Sequence, residues 1–240
     1  MASGGSSVNG RTEAETKAAL EVVAKAEAAG IRTVQLQFVD LHGLTKSVQI
    51  PIHQMPASIK HGTWFDGSSV EGFTRIAESD QLLRPDMNTW RVLPWAPAEG
   101  GAGTARVICD VVLPDGGPFA GDPRGVLRRQ VERAERLGYK VNMGPELEFF
   151  LFEYDANGRP TATPHDKAGY FDFTGDQGIG IRQDMVDALE MLGIKIETAH
   201  HEVAPGQHEI DFEYSDSLAT ADNATTFKYA LKEIASQHGL

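Results

Sequence analysis

Glu197-Thr-Ala-His-His-Glu-Val-Ala-Pro-Gly-Gln-His-Glu-Ile-Asp211 holds four carboxylates and three histidines in 15 residues. On extended backbone successive side chains alternate between faces, so His200 and Glu202 share one side, as do Glu209 and Asp211. Pro205-Gly206 supplies turn chemistry between the two arms. Glu202 and Glu209 can therefore meet across a hairpin. No Lys or Arg occurs from Glu197 to Ser217. Carboxylates gathered without a basic side chain repel one another and call for a cation. Oxygen-rich ligation suits Mg²⁺ or Mn²⁺, and a marginal histidine favours acceptance of Mn²⁺. A surface hairpin with ordinary charge is the plainer alternative.

Upstream, Gly144-Pro-Glu-Leu-Glu-Phe-Phe150 places Glu146 and Glu148 two apart, on one face of a strand. Leu147, Phe149 and Leu151 point the other way. The glutamate face continues into Phe150 and Phe152, an odd composition for solvent, although a half-exposed edge strand is also possible. Further upstream, Trp64-Phe-Asp-Gly-Ser-Ser-Val-Glu-Gly72 reads as a turn in which Asp66 caps its own backbone. Trp64, Phe65, Val70 and Phe73 load it with apolar surface, which suggests burial, even against another chain.

Around these segments the pattern is α+β. Thr12 and Glu15 form a capping box for a helix over 12–29, with Gly30 as its stop. Val34, Leu36 and Phe38 alternate with Gln35 and Gln37, giving a strand; Asp40–Gly43 turns it into a return strand near 45–50. A glycine-dense loop follows over 61–72, then strands near 89–93 and 105–113. Leu113-Pro-Asp-Gly-Gly-Pro118 is a composition break and sets the expected boundary. Asp122-Pro123 opens a helix. A strand over 139–154 turns at Asp155-Ala-Asn-Gly158. A helix carries Ile181, Met185, Leu189 and Leu192, strands follow near 194–201 and 208–214, and a last helix carries Phe227, Leu231 and Ile234.

The 240 residues include 34 acidic and 22 basic side chains, a net charge of −12. That balance argues against a nucleic-acid or anionic-membrane surface. The single cysteine, Cys109, excludes an intramolecular disulfide and any CxxC zinc site. No apolar run is long enough to span a membrane, and residues 1–10 lack a signal-peptide pattern; a cytoplasmic location is expected.

Taken together, Phe65-Asp-Gly-Ser-Ser69, Ala77-Glu-Ser-Asp80 with Arg84-Pro-Asp86, Gly144-Pro-Glu-Leu-Glu-Phe-Phe150, Gly169-Tyr-Phe171 and the His200–Glu209 run resemble the type I, bacterial and archaeal, glutamine synthetases. The motifs run in family order from about residue 30 onward. The resemblance implies an N-terminal β-grasp-like small domain followed by an incomplete catalytic half-barrel, with a tail at 1–11, the small domain at 12–114 and the partial catalytic domain at 115–240. It implies an ATP-dependent ligase that joins ammonium to glutamate through γ-glutamyl phosphate.

By that resemblance Glu148, Glu202 and Glu209 hold one Mg²⁺ or Mn²⁺, Glu146 serves a second metal on the ATP side, and Glu197 lies by the nucleotide. Asp66, with Ser69 beside it, binds and deprotonates ammonium in a neighbouring subunit's site, and Tyr170 borders that site. A homo-oligomer, in the family a dodecamer of two hexameric rings, is implied for the full-length enzyme. Family members continue for roughly as long again, into the arginines that grip glutamate and phosphate. The chain is thus expected to be the N-terminal half, inactive alone, with open strand edges. Rival readings are a γ-glutamyl-amine ligase of the same superfamily, a non-catalytic metal-binding partial chain, and an unrelated metallohydrolase, the last disfavoured by motif order.

Overall fold

The computed structural model describes residues 11–70, 72, 79–96 and 102–240. The chain divides into two compact units, Met1–Leu137 and Gly138–Leu240.

In the first unit, helix α1 (Glu13–Ala28) begins with the capping box: the Thr12 hydroxyl accepts from the Glu15 N–H at 3.2 Å, and the Glu15 carboxylate accepts from the Thr12 N–H at 2.7 Å. Gly30, at φ 96°, takes the left-handed conformation that ends the helix. Strands β1 (Ile31–Val39) and β2 (Thr45–Pro51) form the hairpin, its turn closed by Asp40, which accepts from the His42 and Leu44 N–H groups at 2.9 Å each. Helix α2 (Met55–His61) and strand β3 (Thr63–Asp66) come next. Strands β4 (Asp80–Val92) and β5 (Gly103–Val112) complete a sheet of order β2-β1-β5-β4-β3. β1 and β5 run parallel, with Leu36 opposite Val107; the other pairs are antiparallel.

Three sequence expectations change here. The small sheet carries α2 as well as α1; seven residues are too few for a helical period to show. The glycine-dense loop holds β3. The strand expected near 89–93 starts at Asp80 and runs through Pro85, at a point where β3, paired only as far as Leu83, no longer flanks it. A proline that cannot donate to a ladder is tolerated there. Val34, Leu36, Phe38, Ile52, Met55, Ile59, Leu83, Val107 and Val111 form the core with Ala19 and Val23 of α1. Gln37 is buried too, and its amide donates to the Gln35 side chain at 3.1 Å.

Helix α3 (Pro123–Arg136) has Asp122 as its N-cap, accepting from the Gly125 N–H at 3.1 Å. Arg124 ties it to Asp86 at 2.7 Å and to Asp110 at 2.5 Å; Arg128 reaches Asp110 at 2.8 Å. These ion pairs fasten α3, which follows the composition break, to the sheet of the first unit. Arg11, expected in the tail, donates to the Ile59 carbonyl at 3.2 Å; residues 1–10 lie outside the described residues.

In the second unit the strand expected over 139–154 is broken into β6 (Asn142–Met143), β7 (Glu148–Phe150) and β8 (Phe152–Tyr154). Gly144-Pro145 interrupts the ladder after β6. At Leu151 the chain changes partners: its N–H donates to the Gly206 carbonyl and its carbonyl accepts from the His165 N–H. β8 then pairs with β9 (Pro160–Pro164) around the Asp155 turn, where Asp155 accepts from the Asn157 and Arg159 N–H groups at 2.8 and 2.9 Å. After helix α4 (Ile179–Met191) come β10 (Ile196–His201), β11 (Gln207–Phe212), β12 (Ser215–Asp216) and helix α5 (Ser217–Gln237). β10, β11 and β7 form an antiparallel sheet in that order, and β12 pairs with β6. α4 packs on α5 and β10. Met185, Leu189, Ile210 and Ala230 are fully buried, each large side chain contributing about 1.5–3 kcal/mol of apolar transfer. Phe227 of α5 meets Phe149 and Phe212, ring centroids 6.2 and 6.1 Å away. Among the described residues no helix is long and apolar enough to cross a membrane.

Candidate metal centre

The β10–β11 register sets His200 opposite Glu209 and His201 opposite His208, and β7 sets Glu148 beside Glu209. The pleat then sorts the segment into two faces. Glu209 and His200 lie on one, with Glu148 alongside. Glu202 stands one residue past the end of β10, its N–H donating to the Gln207 carbonyl at 2.8 Å. Carboxylate oxygens of Glu148, Glu202 and Glu209 all lie within 4.8 Å of one another. His200 flanks them, Nε2 at 3.4 Å from Glu209 and Nδ1 at 3.6 Å from Glu202.

The electrostatics are one-sided. Glu209 is 8 % exposed, and its carboxyl is pushed up to about 7 by burial first, then by Asp211 and Glu202. Each of those influences disfavours the anion. Hard oxygen donors from three glutamates, one of which retains a proton near neutrality, match a divalent cation that would displace that proton. The residues present therefore fit Mg²⁺ or Mn²⁺.

Two of the three carboxylates have supports that sequence reasoning missed. Gln207 donates its amide N–H to Glu148 and accepts from the Ala204 N–H at 3.1 Å, so one side chain links the hairpin turn to β7. The Glu202 carboxylate accepts from the Val203 N–H at 2.9 Å. Gln207 sits two before Glu209 on one strand face, and that alternation was the available signal.

The histidines divide. Only His200 stands with the carboxylates; His201 and His208 turn inward, 1 % and 0 % exposed. Asp166, His201 and His208 also bring ligand atoms within 4.8 Å, but the ring nitrogens of both histidines are taken up by protein partners or a proton. Arg182 donates to His208 Nδ1 at 2.8 Å, so Nε2 carries the imidazole proton. Burial, then Arg182, pulls His208 down to about 4 and keeps it neutral. His201 approaches the Glu202 carbonyl at 2.6 Å through Nδ1 and Asp166 at 2.9 Å through Nε2. Burial opposes its charge, yet those acceptors raise its pKa. Arg182 is itself held by Asp176.

Of the remaining candidates, Tyr170 lies beside the site, stacked on Phe171 at 3.9 Å and edge-on to His200 at 5.6 Å. Phe171 takes a left-handed φ of 58°. Glu146, just before β7, and Glu197, early in β10, are exposed and lie outside the three-carboxylate group. Asp66 and Ser69 belong to the first unit, which carries none of these carboxylates. Asp66 is exposed and accepts from the Ser68 N–H at 2.8 Å; the Ser68 hydroxyl and N–H hold its pKa below the usual value. Next to it Trp64 is 59 % exposed while Phe65 packs on Phe38 at 5.0 Å. Phe73 and residues 77–78 lie outside the described residues.

Residues 30–114 match the glutamine synthetase β-grasp domain and residues 120–240 the glutamine synthetase catalytic domain. The chain belongs to the glutamine synthetase family. It is 52 % identical over 221 residues to a glutamine synthetase of Methanosarcina mazei, covering 92 % of this chain and 48 % of that protein. It is 52 % identical over 228 residues to one from Thermus thermophilus, covering 94 % and 51 %. Among solved structures, a GmaS–ADP complex superposes with a TM-score of 0.80 at 27 % identity, covering 90 % of this chain and 49 % of that one. A Plasmodium falciparum glutamine synthetase shares the fold, with a TM-score of 0.79 at 22 % identity and 92 % and 49 % coverage. The chain spans about half the length of the curated relatives it matches.

Proposed function

We propose that this chain supplies the metal-binding half of an ATP-dependent glutamate–ammonia ligase, with Glu148, Glu202 and Glu209 as ligands of one Mg²⁺ or Mn²⁺. The observation that carries the reading is the convergence of the Glu148, Glu202 and Glu209 carboxylates within 4.8 Å of one another. Family membership supports the ligase class, and the ADP held by one structural relative supports a nucleotide co-substrate. Such a metal neutralises anions that must approach one another. The γ-carboxylate of glutamate would attack the γ-phosphorus of ATP to give γ-glutamyl phosphate and ADP, and ammonia would then displace phosphate to give glutamine.

Within that reading the chain's own residues divide the work. Gln207 holds Glu148 in place. Glu146 faces a second metal, and Glu197 the nucleotide. Tyr170 offers an aromatic face to ammonium. Asp66, with Ser69 beside it, draws ammonium and takes its proton, acting in a neighbouring protomer of a cytoplasmic homo-oligomer.

Titration with Mn²⁺ tests the ligand set. At 100 times Kd the metal should stabilise the fold by about 2.7 kcal/mol, and Glu202→Ala or Glu209→Ala should remove most of that gain. An equal gain in wild type and both variants defeats the assignment. The 240-residue chain by itself should form no glutamine: the hairpin brings no Lys or Arg to a phosphorylated intermediate, and losing one such donor costs about 10²–10³ in rate. Turnover by this chain near the rate of a full-length relative would overturn that expectation.

A further inference from the structure

Asp166 is 3 % exposed and lies outside every motif that carries the family resemblance. Its carboxylate collects donors from three separate segments. Oδ1 accepts from the Gly206 N–H at 3.2 Å, in the hairpin turn, and from His201 Nε2 at 2.9 Å, at the end of β10. Oδ2 accepts from the Gln177 N–H at 3.0 Å, just before α4. His201 passes the connection on, since its Nδ1 lies 2.6 Å from the Glu202 carbonyl. An imidazole with an oxygen partner at each nitrogen is fixed in both position and ring orientation. Glu202 is then fixed on both sides of its Cα: its N–H by the Gln207 carbonyl and its own carbonyl by His201.

The surroundings show why such a clamp is needed. Glu202 stands in the turn between β10 and β11, whose next residue, Val203, is 69 % exposed. Its carboxylate is pressed toward two others of the same sign. Repulsion favours swinging the turn outward, and the only covalent restraints are the two strand ends.

We propose that Asp166 is a positioning residue for the carboxylate cluster, acting through His201 and the Gly206 turn to hold Glu202 where it can share a cation with Glu148 and Glu209. The proposal rests on the metal reading above. It assigns the buried Asp166–His201 contact on one face of the hairpin to the ligand geometry on the other face. Outer partners that orient metal ligands typically change affinity by about 10- to 100-fold when removed.

The test measures Mn²⁺ Kd and the bound-ion EPR spectrum on the whole chain, alongside the unfolding midpoint. Asp166→Asn is nearly isosteric but puts an amide where the carboxylate meets Gly206, Gln177 and His201. It should weaken Mn²⁺ by about 10- to 100-fold and alter the bound spectrum. His201→Gln should weaken it similarly, and the double variant no further than either single one. Ile234→Ala, in α5 and 7 % exposed, serves as a destabilised control that should keep the wild-type Kd. A folded Asp166→Asn with wild-type Kd and spectrum overturns the proposal. If that variant does not fold, a wild-type Kd in His201→Gln overturns it instead, as does an equal loss of affinity in Ile234→Ala. Mn²⁺ binding by wild type that survives Glu209→Ala defeats the underlying ligand set, and the proposal with it, in a pattern distinct from failure at Asp166 alone.

Discussion

Asp110 in the first unit, half-buried, and Glu209 in the second, buried, are acids next to other acids, and their pKa values move in opposite directions. Asp110 is met by Arg124 at 2.5 Å, Arg128 at 2.8 Å and Arg84 at 3.5 Å. Burial opposes its charge, but Arg124 and Arg128 outweigh that and lower its pKa. Glu209 is surrounded by burial and by Asp211 and Glu202, and its pKa rises to about 7. The first arrangement is complete as it stands and fastens α3 to the sheet. The second gathers carboxylates with no Lys or Arg in the hairpin. A matched acid is a structural joint, and an unmatched one is a candidate binding site.

Arg124→Ala should give the largest effect. Removing Arg124 takes the ion-pair partner from Asp86 and leaves Asp110 to Arg128 and Arg84, which should cost up to about 3–5 kcal/mol, read as a lower urea midpoint. A loss under about 1 kcal/mol, the range of exposed pairs, would erase the contrast.

Glu209→Gln should do the reverse in metal-free protein at pH 8: the midpoint stays level or rises, because the change removes repulsion. A large destabilisation would mean that Glu209 is already balanced.

The pH slopes should also differ in sign. The folded pKa of Glu209 lies above its ordinary 4.5, so the fold binds that proton more tightly than the unfolded chain does. Its favourable contribution is full below 4.5 and is lost as pH rises through about 7. Asp110 is lowered from 3.8, so its contribution is present above 3.8 and is lost on acidification. Glu209→Gln should flatten the fall in metal-free stability between about 4.5 and 7, whereas Asp110→Asn should flatten the acid limb. Saturating Mn²⁺ should abolish the Glu209 limb in wild type, since the ion replaces the proton. Identical pH profiles for both variants would break the comparison.

Lys195 and Glu213 mark the lower end. Their pair at 2.9 Å is solvent-exposed, and Lys195→Ala should leave the urea midpoint unchanged within error.

Much of this was legible in short sequence windows. The Thr12–Glu15 box, the Asp122 cap, the Asp155 turn and the hairpin at Pro205-Gly206 depend on neighbours a few residues away. Alternation was enough to put Glu202 and Glu209 together, and it could also have turned His201 and His208 inward, since each adjoins a residue of the outer face. What short windows cannot carry is pairing at long range. Asp166 is 40 residues from Gly206, and Arg124 is 38 from Asp86. The break of the 139–154 strand at Leu151 depends on Gly206 and His165, which no local pattern announces.

The parallel pairing of β1 with β5 has a consequence for the order in which the first sheet can form. β2 follows β1 after a tight turn and can zip onto it at once. The other edge of β1 must wait for Gly103–Val112, and closing so long a loop costs entropy before any ladder bond forms. At synthesis rates of about 5–20 residues per second, the centre of the sheet is the last part to be completed. For those seconds Val34, Leu36 and Phe38 sit on a hairpin with one open edge. Nascent chains are at greatest risk of pairing with one another in that interval, and a slow folding phase should be sought in the closure of β5 onto β1.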